Sequence, residues 1–230
     1  MPLDAPALGI GYYRVAEASR LLRTPARKIN RWLGGYAYLR DGKRYQMPPL
    51  WTPQLARHEH HIELGFRDLI ELRFVKAFLD AGLGLKTIRH CLEYARAAVE
   101  DERPFATRRF RTDGRTIFLE SAHAWGGVEL LDLKSRQYAI QKVIERSFKD
   151  VDLEGDVVIR WRPYKGRESI VIDPERVFGQ PIAADYGVPT IALAQAVFAE
   201  GSVKRVSQLY EIPASVVRDA VAFEGSLATA

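Results

Sequence analysis

The side chains most plainly arranged for chemistry are the cations of TPARKINRWL, residues 24–33: Arg27, Lys28 and Arg31. On a helix advancing about 100° per residue they share one side, while Ala26, Ile29 and Leu33 share the other. Such a helix buries its apolar side and offers fixed positive charge to a partner. Arginine pairs two ways with guanine edges or phosphate, and lysine acts as a point charge. Thr24 can cap the free N–H groups of the first turn, and Pro25 suits the first helical position.

A second dense group is RHEHHIEL, residues 57–64, with His58, His60 and His61 beside Glu59 and Glu63. The zinc motif H-E-x-x-H spaces its histidines four apart, and the residue four after His58 is Ile62. The expectation is a surface cluster, or one near the DNA backbone, rather than a zinc site. His90 and Cys91 are helix neighbours that diverge by about 100°, so they make no nucleophile–base pair. Gly82 and Gly84 do not form a phosphate-binding loop. These patterns predict no catalytic residue, no metal site, no cofactor and no enzyme.

The elements that must position the cations follow from periodicity. VAEASRLL, residues 15–22, reads as a short helix whose tight turn into the next predicts a helix-turn-helix. GGYAYLRDGKRYQM then places Asp41-Gly42 between alternating segments, a type I′ hairpin signal. Its two-residue loop sets Arg40 opposite Lys43, Leu39 opposite Arg44, and Tyr38 opposite Tyr45. Paired cations at the tip repel, which has a purpose if the tip lies on phosphate. A helix-turn-helix followed by such a ribbon is a winged helix.

Downstream, residues 66–99 form two helices, with Leu69, Leu72, Val75, Phe78 and Leu79 on the first and Ile88, Cys91, Leu92, Ala95 and Val99 on the second. FATRRFRTDGRTIFL, residues 105–119, repeats the Asp-Gly signal and predicts a second hairpin. Its Arg108, Arg109, Arg111 and Arg115 then read as edge-strand charges, with a second anionic contact as the other reading. SRQYAIQKVIERSF predicts a strand end and a short helix. DVVIRWRP and ESIVIDP predict neighbouring strands across the PYKGR turn, with Val157, Ile159 and Trp161 on one face. From Thr190, three helices follow, capped by Gly201, Ser202 and Pro213, around Val206, Leu209, Val216, Val217, Ala220 and Val221. With three cations against four acids, residues 190–225 suit protein contact better than a DNA groove.

The chain of 230 residues carries a formal charge of +5, unevenly spread. Residues 14–44 hold nine Arg/Lys against two acids, whereas residues 116–230 hold 13 against 16. A local basic excess binds polyanions by counterion release. One cysteine, no signal-peptide layout and no long apolar run predict a soluble cytoplasmic protein.

The order helix-turn-helix, ribbon, helix pair with AGLGLKTIRHCL resembles the DNA-binding domain of MerR-type regulators. In that family the second helix enters the major groove and the wing touches the backbone. The resemblance implicates Arg27, Lys28, Arg31, Arg40, Lys43 and Arg44, with Thr24 and Arg14 completing the set. No heptad run follows, which departs from that family.

DPERVFGQP, Pro189-Thr190 and VVRDAVAFE resemble a small domain of unknown function common in antitoxins. With FRDLIELRFVKAFLDAGLGLKTIRHCL, TDGRTIFLE and VVIRWRP, the whole chain resembles long VapB-type antitoxins with a MerR-like head. That resemblance implies neutralisation of a PIN-domain ribonuclease toxin, repression of the chain's own promoter through double-stranded DNA, and a homodimer. Arg160 and Arg162, or the arginines around the second hairpin, are candidate toxin contacts. The other reading is a stand-alone MerR-like regulator answering to a small-molecule effector. The expected fold is α+β, mainly α. A winged-helix head occupies residues 1–100, a β-rich connecting region with a small mixed or antiparallel sheet 101–165, and a helical antitoxin-associated domain 166–230.

Overall fold

The computed structural model describes residues 9–59, 61–125 and 137–228. Strand β1 (Tyr13–Arg14) leads into α1 (Val15–Leu22) and α2 (Ala26–Gly34), followed by the ribbon β2 (Tyr36–Arg40) and β3 (Lys43–Met47). Strand β4 (Glu63–Leu64) returns antiparallel to β1, placing the chain to enter α3 (Phe66–Asp80) and α4 (Leu85–Val99). Then come α5 (Arg108–Trp125) and α6 (Gln137–Phe148), an antiparallel sheet ordered β5 (Val151–Glu154), β6 (Val157–Trp161), β7 (Ile170–Ile172) and β8 (Pro181–Ala183), and three helices. These are α7 (Thr190–Glu200), α8 (Val203–Tyr210) and α9 (Ala214–Ala228). The fold is mixed, mainly helical, with small antiparallel sheets.

Helix α3 is the axis of the core and is buried on nearly every side, including Phe66, Leu69, Ile70, Phe74 and Phe78. Six phenylalanines from four segments meet around it, with Phe78 4.7 Å from Phe118 and Phe105 4.5 Å from Phe110. Edge and tilted ring contacts of this kind add to the area they bury. The buried cluster is continuous from Tyr13 to Ile172, and a smaller one centres on Leu193, Val206, Val217 and Ala220.

Buried acids on α3 tie the loops down. Asp68 accepts from Trp51 Nε1 at 2.9 Å, Gln54 N at 2.7 Å, Gly65 N at 3.0 Å and Arg103 Nε at 2.8 Å. Four donors leave neither oxygen of this buried carboxylate without a partner. Arg73 pairs with Asp150 and donates to the Ser147 carbonyl, joining α3 to the end of α6.

The expected second hairpin is a helix. Phe110, Gly114, Ile117, Phe118 and Ser121 recur at helical spacing and all face inward, so burial overrides the local Asp113-Gly114 turn signal. Gly114 serves close packing instead: a Cβ there would stand 2.9 Å from Ile144 Cδ1 on α6. The strand end expected at 135–136 lies outside the described residues, and 137–148 is wholly helical. On β6 the inward residues are Val158 and Trp161 rather than Val157, Ile159 and Trp161. The partner strand shifts register between Asp152 and Leu153, and such an irregularity breaks strict alternation.

The three C-terminal helices begin and end close to expectation. Gly201 closes α7 in the left-handed region at φ +64°, and Ser202 Oγ accepts from Arg205 N at 3.3 Å. Leu209, expected in their core, is 67% exposed. This unit docks on the first helices. Tyr13 Oη donates to the Gly179 carbonyl at 2.7 Å, Tyr12 N donates to the Phe178 carbonyl at 2.9 Å, and Arg20 pairs with Glu224 at 3.2 Å. Gly179 is required, since a Cβ would fall 2.3 Å from that tyrosine oxygen.

Candidate nucleic-acid interface

The turn between α1 and α2 is built by backbone and hydroxyl bonds. Arg23 takes a left-handed φ of 49°, Thr24 N donates to Ser19 O at 3.0 Å, and Ser19 Oγ donates to Thr24 O at 2.7 Å. The predicted Thr24 cap is not formed. Its hydroxyl turns back to the Leu22 carbonyl at 3.2 Å, and the N-cap position belongs to Pro25. Thr24 is 4% exposed, so its side chain stands behind the charged face rather than on it.

Ile29, Trp32 and Leu33 anchor α2 inward, leaving Arg27, Lys28, Asn30 and Arg31 exposed. Neither Arg27 nor Lys28 has an acid partner among the described residues. Arg31 is placed differently. Its guanidinium carbon lies 3.6 Å from the centre of the Tyr36 ring, at the start of the ribbon. Between them Gly35, at φ +71°, lets the chain reverse; a Cβ there would meet the Met47 carbonyl at 2.6 Å.

The ribbon has the predicted register: Tyr38 opposite Tyr45, Leu39 opposite Arg44, Arg40 opposite Lys43. Asp41 and Gly42 have φ of 51° and 72°, the pair of positive values a type I′ turn needs. Tyr38 and Tyr45 stack with centroids 5.4 Å apart, yet both remain exposed, as do Lys43 and Arg44. An isolated two-stranded ribbon is marginally stable. This one is held at its root instead. Arg89 on α4 donates to the Pro49 and Pro48 carbonyls, each at 2.9 Å, and Arg96 donates to Leu50 O at 2.6 Å. Burial lowers the pKa of the Arg89 guanidinium.

Arg14 precedes α1 as its N-cap, with its N–H donating to Glu17 Oε2 at 2.9 Å. The side chain is exposed beside the Tyr12 hydroxyl, a neighbour that raises its pKa. It lines an open groove with Asn30 of α2 and with Arg57, His58 and His61. The sequence did not single out Arg57; the β1–β4 pairing brings it beside α1 together with His58 and His61, whose expected place near the DNA backbone agrees with this face. Arg89 was missed too; it flanks the apolar stripe of α4, and nothing in its spacing points to the carbonyls it holds.

Arg160 and Arg162 are both taken up by the chain's own acids. Arg160 Nε pairs with Asp173 at 2.8 Å, and Arg162 grips Asp152 through two bonds of 2.7 Å and 2.8 Å. Among the described residues no cluster of His, Cys, Asp and Glu could hold a metal, and no helix is long and apolar enough to cross a membrane.

An outward cationic helix joined to a cation-tipped ribbon gathers exposed positive charge on one stretch of the chain. The Mycobacterium tuberculosis protein named "Putative antitoxin VapB45" is 26% identical over 221 residues, covering 91% of this chain and 92% of the relative. That relative is an antitoxin by name. The crystal structure of RV2018 from Mycobacterium tuberculosis has the same fold, with a TM-score of 0.73 at 23% identity, over 96% of this chain and 99% of that one. No family model matches the chain.

Proposed function

We propose that this chain is the antitoxin of a type II toxin–antitoxin pair. It neutralises a PIN-domain ribonuclease and, as a homodimer on double-stranded DNA, represses its own operon. In this reading α1, α2 and the β2–β3 ribbon are a MerR-like winged helix-turn-helix within residues 1–100. Residues 101–165 connect it to the antitoxin-associated domain of residues 166–230. The chain works by binding, in the cytoplasm, and not by catalysis.

The observation that carries the DNA half is the unpaired state of Arg27 and Lys28 on the outer face of α2, beside a ribbon whose Lys43 and Arg44 are also exposed. Charges kept free of internal partners cost nothing to hand over to phosphate and base edges. Arg27 and Lys28 read the groove, Arg31 shares its charge between Tyr36 and the duplex, and the ribbon tip rests on the backbone. Arg14 lies on the flanking surface. The antitoxin half is supported by the likeness to the VapB45 relative along nearly its full length.

Both halves are tested with the purified full chain and the PIN-domain nuclease encoded beside it. RNA cleavage should stop near a one-to-one ratio, and the chain should prefer its promoter duplex over a scrambled one by about 10³-fold. A nuclease still active at excess chain rejects the antitoxin half. Equal affinity for both duplexes rejects the DNA half.

A further inference from the structure

The helix that replaces the expected second hairpin changes the meaning of its arginines. On α5, Arg108, Arg111 and Arg115 follow one another at steps of three and four residues, so they form one stripe over two turns, about 10 Å long. Thr112 lies between them, and Arg109 flanks the stripe. All four arginines are exposed, and none has an acid partner among the described residues. The edge-strand explanation no longer applies, because there is no strand. Like charges at this spacing destabilise a helix by a few tenths of a kcal/mol per pair. Their presence therefore needs another reason.

Arg108, Arg111 and Thr112 form one wall of an open groove whose other wall is the β5–β6 hairpin, including Asp152, Glu154 and Arg160. The β6 arginines are held by Asp173 and Asp152, so the α5 stripe carries the free positive charge of this groove. We infer that the Arg108–Arg111–Arg115 face of α5 is a docking surface for a protein that presents clustered carboxylates. Arginine forks match carboxylates in two-bond geometry, which gives both affinity and orientation. The opposite wall decides between a protein and a duplex. Asp152 is already paired with Arg162, but Glu154 is exposed and has no cation partner among the described residues, so it would repel a phosphate in the groove, whereas a protein surface can set its own cation or amide against it.

The identity of the partner rests on the antitoxin reading above; the surface itself is a separate claim. The test uses the full chain and its Arg108→Gln/Arg111→Gln/Arg115→Gln variant, whose altered side chains are exposed and leave the core intact. Each is titrated against the co-encoded PIN-domain nuclease and, separately, against the promoter duplex over a salt series. The variant should bind the nuclease at least about 100-fold more weakly, with promoter affinity unchanged within about twofold. The matching triple lysine variant should recover part of the loss, since it keeps the charge and loses the fork. Equal nuclease affinity for wild type and the glutamine variant overturns the surface and leaves the antitoxin reading standing. A drop in promoter affinity with a shallower salt slope makes the stripe a phosphate contact instead. A wild-type chain that does not bind the nuclease removes both readings.

Discussion

The Arg31 guanidinium stacks on the Tyr36 ring, 3.6 Å from its centre, and this contact makes the outward face of α2 and the root of the ribbon one unit. An exposed cation held over a half-buried ring contributes about 0.5–1 kcal/mol. That is little for stability, but it orients the ribbon relative to the helix. Arg31→Ala removes the stacked charge, whereas Tyr36→Phe keeps the ring and removes only its hydroxyl. The arginine variant should weaken promoter binding by roughly 1–3 kcal/mol, and the phenylalanine variant should leave it nearly unchanged. Comparable losses from both would show that the tyrosine hydroxyl, not the stack, matters.

Arg89→Met should destabilise the fold by about 2 kcal/mol in urea, because the Pro48 and Pro49 carbonyls lose the charged donor that the buried Arg89 side chain supplies. Promoter binding should fall as well, since the ribbon loses its root. A variant as stable as wild type would mean that water replaces the guanidinium at no cost.

Gly114→Ala tests the helix directly. Alanine favours a helix over glycine, yet its Cβ would crowd Ile144 at 2.9 Å and the Phe110 ring at 3.2 Å. The crowding should win, with a loss of about 1–3 kcal/mol seen as a lower thermal midpoint. A stabilised variant would contradict the packing of α5 on α6.

Glu71 is fully buried on α3, and burial pushes its carboxyl up to about 8 against the pull of the Ala106 N–H bond and nearby arginines. The folded state thus holds a proton that the unfolded chain releases near pH 4.5. Stability from this group is complete below that value and is lost as pH rises toward about 8. Glu71→Gln should match wild type near pH 4.5 and exceed it at pH 8 by on the order of 4 kcal/mol. Parallel stability curves for the two chains would disprove the protonated acid.

The same dipeptide was informative at one place and misleading at another. Asp41-Gly42 sits between segments with no stronger alternative pattern, so local turn chemistry decides, and the ribbon could be read to the residue. Asp113-Gly114 sits inside a helical spacing of buried aromatics, and tertiary burial overrides the turn. The inward and outward sides of α2 were legible because Ile29 and Leu33 fix its rotation. The Arg89 role was not legible, since its partners are main-chain carbonyls 40 and 41 residues earlier. Leu209 looked like core because its type is apolar; only the fold shows that it points outward.

Contact of Arg27, Lys28, Lys43 and Arg44 with a DNA duplex underlies the proposed function. Its most direct test is the salt dependence of promoter affinity for wild type, Arg27→Ala and Lys43→Gln. Arg27→Ala should cost roughly 1–3 kcal/mol and relax preference at one base position, while Lys43→Gln should weaken all sequences alike and flatten the log–log salt slope by about one unit. Three chains with the same weak affinity for every duplex, at every salt concentration, would contradict the account.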